Sequence, residues 1–259
     1  TFSNREYEAL VDVDLRSDGH TITKTLPDGL YYWRVRTIHD GVPGPWSGYS
    51  YFRIDTLAPA APLQYSPADG YNTYDTTPSL YVRTVSGANR YCFQVARDEG
   101  FANVVVNPAC ETLSTGTGWA VPLAQALQYD EYWWRVKAYD AAGNESGWSL
   151  VRKLNVTFQQ YPLEGFTSVY KKWGFSWYGV PGATGYELEL IYDTGDLPDK
   201  DEELTSEETA YIVKNLGATV RKTYITFAED GNYAWRMRAF TPGGEVVSPW
   251  RRMSVLPSL

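Results

Sequence analysis

The chain has 259 residues, enough for two to three domains of about 100 residues each. It carries a net charge of -8, which argues against a nucleic-acid partner, because phosphate recognition requires a basic surface. Only two cysteines are present, too few for a disulfide scaffold, and no run of 18 apolar residues is long enough to span a membrane.

Residues 1–57 read as the C-terminal half of a first unit. Phe2-Ser3-Asn4 resembles Phe101-Ala102-Asn103 further on. A strand is predicted at His20–Lys24, then a turn at Leu26-Pro27-Asp28-Gly29 with proline and glycine in turn positions. A strand over 31–38 follows. Asp40-Gly41 and Pro43-Gly44-Pro45 lead into a last strand over 48–54. Leu57-Ala58-Pro59-Ala60-Ala61-Pro62 is a linker, because proline removes donors and cannot sit inside a sheet.

Residues 58–156 read as a second unit with seven short strands, at 62–65, 79–84, 90–96, 103–106, 117–121, 131–139 and 148–156. Short strands separated by turn signals are the pattern of a β-sandwich. Residues 157–259 read as a third unit, with strands at 160–163, 173–178, 185–192, 222–227, 232–240 and 249–255. The stretch 209–214 reads either as a strand or as the end of a short helix begun at Thr205. Val85-Ser86-Gly87-Ala88-Asn89-Arg90-Tyr91 matches Val180-Pro181-Gly182-Ala183-Thr184-Gly185-Tyr186. The first unit has no counterpart of this segment or of the two strands before it. Either its remainder belongs to a longer protein or something else completes the fold.

One stretch occurs three times: Tyr31-Tyr32-Trp33-Arg34-Val35-Arg36, Tyr132-Trp133-Trp134-Arg135-Val136-Lys137 and Tyr233-Ala234-Trp235-Arg236-Met237-Arg238. A second tryptophan follows each copy: Trp46, Trp148 and Trp250. Strand alternation turns Tyr31, Trp33 and Val35 toward a core, with Tyr132, Trp134, Val136 and Ala138 and then Tyr233, Trp235, Met237 and Ala239 as their equivalents. Each buried aromatic should remove about 150–250 Å² from water. The first tyrosine of each set follows a turn, where a tyrosine corner would bond its hydroxyl back to the backbone. The outward set is cationic. Arg34 and Arg36 are expected to stack on Trp46, Arg135 and Lys137 on Trp148, and Arg236 and Arg238 on Trp250.

Tyr-x-Trp-Arg-Val before a glycine-rich turn and Trp-Ser resembles the fibronectin type III domains of bacterial and archaeal surface proteins. Trp46-Ser47 and Trp148-Ser149 are also similar to half of the Trp-Ser repeat of cytokine-receptor domains, from which Trp250-Arg251 departs. The resemblance implies an all-β chain of tandem fibronectin type III-like sandwiches, the first one partial. It implies an extracellular or cell-surface setting and leaves open spacer, adhesin and enzyme-accessory roles.

The remaining candidates each have two readings. Cys92 and Cys110 form a cross-strand disulfide or stay as two thiols; Cys92 should face outward, between inward Tyr91 and Phe93. Asp193, Asp196, Asp199, Asp201, Glu202, Glu203, Glu207 and Glu208 crowd one loop, which is either a solvated acidic loop or a weak calcium candidate centred on the four aspartates. Trp133, turned away from its own core, either contacts a glycan, meets a neighbouring domain or covers arginine stems. Asn144-Glu145-Ser146 and Asn155-Val156-Thr157 are glycosylation sequons. His20 and His39 come with no catalytic signature. No cofactor is implied. The expected function is a non-enzymatic structural or interaction segment of a surface or filament-forming protein, with protein partners or self-assembly through strand addition at the first unit. The alternative is a carbohydrate- or protein-binding accessory module of a secreted or surface enzyme.

Overall fold

The structure is a computed structural model that describes residues 6–9, 19–198 and 209–257, with backbone only over 209–215. The described elements are β-strands apart from one 3-10 turn at Leu123–Gln125. No described helix is long and apolar enough to cross a membrane.

The middle unit is built from β5 (Gln64–Ser66), β6 (Tyr71–Thr73), β7 (Ser79–Val82), β8 (Ala88–Ala96), β9 (Val104–Val106), β10 (Gly118–Ala120), β11 (Asp130–Asp140) and β12 (Arg152–Val156). They form two sheets, ordered β10-β7-β5 and β6-β12-β11-β8-β9. The last unit repeats this plan with β13 (Gln159–Tyr161), β14 (Phe166–Ser168), β15 (Lys172–Trp177), β16 (Gly185–Tyr192), β17 (Thr209–Gly217), β18 (Lys222–Thr226), β19 (Gly231–Thr241), β20 (Gly244–Val247) and β21 (Arg251–Val255). Its sheets run β13-β15-β18 and β14-β21-β19-β16-β17, with β20 added on β19. Each is a β-sandwich of two facing sheets.

The alternation read in the sequence decides the packing. Along β11, buried and half-buried residues alternate from Tyr132 to Asp140. Tyr132, Trp134, Val136 and Ala138 meet Leu80, Val82, Val95, Val121 and Leu154 in one apolar cluster. Tyr233, Trp235, Met237 and Ala239 meet Phe175, Leu188, Ile225 and Val255 in the other. Tyr129 packs against both clusters and sits edge-on to Phe158, ring centres 5.1 Å apart. Tyr74 and Tyr178 add a second contact across the same junction at 4.4 Å.

The repeated motifs are turn and corner devices. Gly87 and Gly182 have φ of 81° and 73°, the left-handed conformation that a type II turn needs at its third residue. The tyrosine three residues past each turn's end, Tyr91 or Tyr186, accepts the backbone N–H of Val85 or Val180 at 3.1 and 3.0 Å. The strand-opening tyrosines donate back four residues: Tyr31 to the Pro27 carbonyl, Tyr132 to Gln128 and Tyr233 to Glu229.

The first unit is different. β1 (Gly29–Trp33) pairs only with β4 (Ser50–Ile54) among the described residues, beside a small hairpin of β2 (Ile38–His39) and β3 (Val42–Pro43). His20–Lys24 is not a strand, although its alternation suggested one. This unit's inward face is uncovered, as half a sandwich implies. Trp33 is 51% exposed and Val35 59%, where Trp134, Trp235 and Val136 are at 0%. The residues are of the right type, but no described second sheet lies over them.

In the middle and last units three strands escaped the sequence reading. β6 and β14 pair in parallel with β12 and β21 over three residues each, too short for a pattern to register. β20 forms a hairpin with β19. The expected strands at 48, 148 and 249 begin later, at Ser50, Arg152 and Arg251. A serine hydroxyl explains the delay. Ser149 Oγ accepts the Val136 N–H at 3.1 Å, and Ser248 Oγ accepts that of Met237 at 2.9 Å. Ser47 does the same for Val35 at 3.0 Å. A side chain thus replaces one rung of the ladder.

Candidate interaction surface

The outer face of the larger sheet carries the cationic residues. Each tryptophan that follows the repeated stretch lies in the extended segment before the last strand, not in that strand. In the middle unit the Arg135 guanidinium lies 4.1 Å from the Trp148 ring centre, and Lys137 Nζ lies 4.6 Å away. Phe101 covers the other side of Arg135 at 4.0 Å. In the first unit Arg34 and Arg36 lie 4.3 and 4.4 Å from Trp46.

In the last unit Arg236 stacks on Trp250 at 4.4 Å. Arg238 does not follow the expected stack. Its Nε donates to Glu189 at 2.8 Å and its Nη1 to Glu245 at 2.9 Å. Two carboxylates within reach are a stronger attraction than an already occupied indole face. The Trp250 indole N–H donates to the Pro198 carbonyl at 2.9 Å.

Sequence reading missed what stands opposite the arginines. Gln94 on β8 is in register with Arg135 on β11 and accepts from its Nε and Nη2 at 3.1 and 3.0 Å. Glu189 on β16 is in register with Arg236 on β19 and is bonded to both Arg236 and Arg238. Arg236 is fully buried and Glu189 nearly so, which leaves the pair little solvent screening. The strand opposite therefore supplies an acceptor at the same place in both complete units. Aligning the two Tyr-x-apolar-acceptor-apolar runs, Tyr91–Val95 and Tyr186–Leu190, would have revealed this in the sequence.

A second paired device links the two sheets. Gln64 Nε2 donates to the Trp134 carbonyl and Gln159 Nε2 to that of Trp235, both at 3.1 Å. On the neighbouring strand, Arg152 donates to the carbonyls of Pro67 and Gln64 at 2.7 and 3.0 Å. Arg251 donates to Pro162 at 3.1 Å. Burial pushes the Arg251 guanidinium down to about 10. Both arginines stand opposite a core tryptophan, Arg152 opposite Trp134 and Arg251 opposite Trp235. The corresponding partner of Trp33 is Ser50.

The other candidates fall as follows. Cys92 and Cys110 are joined by a disulfide. Cys92 points away from the core but is fully buried rather than exposed, because the loop after β9 folds over it. Asn107 holds that loop, donating to the Phe93 and Thr112 carbonyls at 3.1 and 2.8 Å. Trp133 is half-buried, with Lys153 Nζ 5.7 Å from its ring centre and bridged to Glu131. It is not the open platform that alternation implied.

Of the calcium candidates, Asp193 accepts from Arg252 Nε and from the Gly195 N–H, both at 3.0 Å. Asp199, Asp201, Glu202, Glu203, Glu207 and Glu208 lie outside the described residues, as do Phe2, Ser3 and Asn4. Among the described residues no group of three or more His, Cys, Asp or Glu is placed to hold a metal. Both sequon amides are engaged. Asn144 donates to the Asp55 carbonyl and to Asp140, each at 2.8 Å, and Asn155 donates to Asn72 at 3.0 Å. His20 meets the Tyr7 hydroxyl at 3.0 Å, and His39 sits 3.5 Å from Asp40 on the surface.

No protein-family model matches the chain, and no curated protein matches it. Among solved structures, it is similar to the FN1–FN3 domains of chicken CNTN1. That match has 15% identity and a TM-score of 0.28, over 86% of this chain and 77% of that one. It is also similar to a two-domain fibronectin type III segment of chicken tenascin, at 14% identity and a TM-score of 0.28, over 77% of this chain and 99% of that one. Similarity at that level assigns no function to this chain.

Proposed function

We propose that the chain is a non-enzymatic extracellular segment of a cell-surface or filament-forming protein, organised as a partial unit (1–57) and two complete domains (58–156 and 157–259). Its role is structural and interactive. The observation that carries this reading is the open first unit, whose Trp33 and Val35 face solvent where their equivalents form a core. A contiguous apolar sheet face of this kind marks a contact surface. The disulfide between Cys92 and Cys110 supports an oxidising, extracellular setting. The conspicuous charged side chains are committed to structure: Arg135 to Gln94, Arg236 and Arg238 to Glu189.

Sedimentation velocity across a wide concentration range, with electron micrographs of the fast fraction, tests this. Concentration-dependent ordered oligomers are expected. A chain that stays monomeric at every concentration would remove the assembly role and leave a spacer.

The runner-up, a glycan-binding accessory module, draws on a different observation. A cleft of about 310 Å³ lies between the middle and last units, with Asn72, Asn155 and Trp250 on its walls. An indole beside amide groups suits sugar hydroxyls and ring faces. Silence across an oligosaccharide array would eliminate it.

A further inference from the structure

The cleft between the middle and last units holds two polar atoms that the fold leaves unsatisfied. Among the described residues, five buried side-chain nitrogens or oxygens have no hydrogen-bond partner. Three are indole N–H groups of the core tryptophans Trp134, Trp177 and Trp235. The other two are Arg251 Nη2 and Asn155 Oδ1, and both residues line the same cleft of about 310 Å³. Arg251 comes from β21 and Asn155 from β12, so the cleft needs both units.

The middle unit shows what Arg251 has left over. Arg152 holds the equivalent place and directs both terminal nitrogens to carbonyls, of Pro67 and Gln64, at 2.7 and 3.0 Å. Arg251 directs only Nη1, to Pro162 at 3.1 Å. The residue is 4% exposed, so Nη2 does not reach bulk water. A guanidinium with a pKa of about 10 is still a cation at neutral pH. The carboxylates around the cleft are engaged elsewhere. Glu131 bridges Lys153 at 2.7 Å, and Asp130 bridges Arg97 at 3.0 Å. Glu164 is exposed and accepts the Arg252 N–H at 2.8 Å; its charge favours the Arg251 cation without a hydrogen bond to Nη2.

The two orphan atoms are of opposite sense. A buried cation calls for an anionic acceptor, and an amide oxygen calls for a donor. A bare carboxylate or phosphate answers only the first, and a neutral sugar leaves the cation unpaired. A sugar acid carries a carboxylate and hydroxyl donors on one ring, and the Trp250 indole on the cleft wall suits its apolar face. We propose that this cleft binds a carboxylated saccharide, a uronic acid residue, with its carboxylate on Arg251 Nη2 and a ring hydroxyl donating to Asn155 Oδ1. This rests on the glycan-binding reading of the cleft, the runner-up above, and names its ligand class.

The test titrates the full, isotopically labelled chain with D-glucuronate, D-glucose, acetate and N-acetyl-L-glutamate, followed by NMR. Glucuronate should bind saturably, at least about tenfold more tightly than glucose or acetate, as befits a hydrogen bond to a charged group. It should move the side-chain signals of Arg251 and Asn155. Glu164→Gln keeps an oxygen for the Arg252 N–H and removes a negative charge, so it should tighten glucuronate about two- to fivefold and leave glucose unchanged. Arg251→Met should abolish the preference for glucuronate over glucose. That variant also loses the bond to Pro162, and the exposed Glu164 keeps the test independent of its folding. Acetate matching glucuronate, acetylglutamate binding more tightly, no binding by any probe, or no tightening in Glu164→Gln would each overturn the proposal. Glucose or neutral oligosaccharides bound as well as glucuronate would sink this inference and leave the glycan reading standing. Free glucuronate bound in the cleft, with silence across the oligosaccharide array, would do the reverse.

Discussion

Gln64 donates its side-chain amide to the backbone carbonyl of Trp134 at 3.1 Å, and the two residues belong to opposite sheets of the middle sandwich. The bond pins the sandwich's opening strand over its central one. Gln159 and Trp235 repeat it in the last unit. Replacing Gln64 with Leu would remove the inter-sheet hydrogen bond to a buried carbonyl that keeps only its ladder pairing, which costs about 0.5–1.5 kcal/mol. Urea denaturation of Gln64→Leu should show that loss. A change below a few tenths would mean that the carbonyl finds another donor.

The Cys92–Cys110 bridge closes a loop with a sequence separation of 18. Loop-closure entropy for that length gives about 3 kcal/mol. The double substitution Cys92→Ala with Cys110→Ala should lower stability by that order, and a reducing agent should mimic it in the parent chain and not in the variant. Equal sensitivity of both would place the effect elsewhere.

Arg135 and Trp148 should behave as a coupled pair. A double-mutant cycle with Arg135→Ala and Trp148→Ala is expected to give a coupling of about 0.5–1 kcal/mol, as for a partly exposed cation over an indole. The cycle for Arg236 and Trp250 should give more, toward about 2 kcal/mol, because Arg236 is fully buried. Additivity in both would reduce the stacks to accidents of packing.

Arg251 gives a pH signature on the alkaline side. Its folded pKa is pushed down to about 10 by burial, so the folded state pays for a buried cation wherever the group is charged in both states. That penalty is fully present below pH 10. It is lost as pH rises above about 10, where the unfolded chain, with its ordinary and higher arginine pKa, binds more protons than the folded one. The stability difference between the parent chain and Arg251→Met should therefore be flat from pH 6 to 9 and shift in the parent's favour above pH 10, tyrosine ionisation being common to both. A difference that stays flat well above pH 10 would contradict this.

The architecture was legible because it is written in local chemistry. Tyr132-x-Trp134-x-Val136 alternates with a period of two, so its faces follow from the backbone alone. Gly87 and Gly182 announce their turns, because other residues rarely adopt that φ. The three short strands β6, β14 and β20 were not legible, since three or four residues paired to a distant strand leave no periodic trace.

The outer-face partners were half legible. Arg34, Arg135 and Arg236 with their tryptophans could be read from spacing, because sequence neighbours on adjacent strands fall side by side. The diversion of Arg238 to Glu189 and Glu245 could not, since Glu189 lies 49 residues away and only the β16–β19 register, which sets it opposite Arg236, brings it within diagonal reach of Arg238. Trp133 shows the same limit. Alternation fixed its outward direction, but its half-burial depends on Lys153 arriving from β12. The sequence by itself determined which residues face inward, where the turns lie and that one stretch occurs three times, since these follow from backbone geometry and side-chain type. Only the tertiary structure decided which of those inward faces is covered. Trp33 and Trp134 are the same residue at the same place in the repeat, and one is half exposed while the other is sealed, because burial belongs to the sheet that packs on top and not to the strand that carries the side chain.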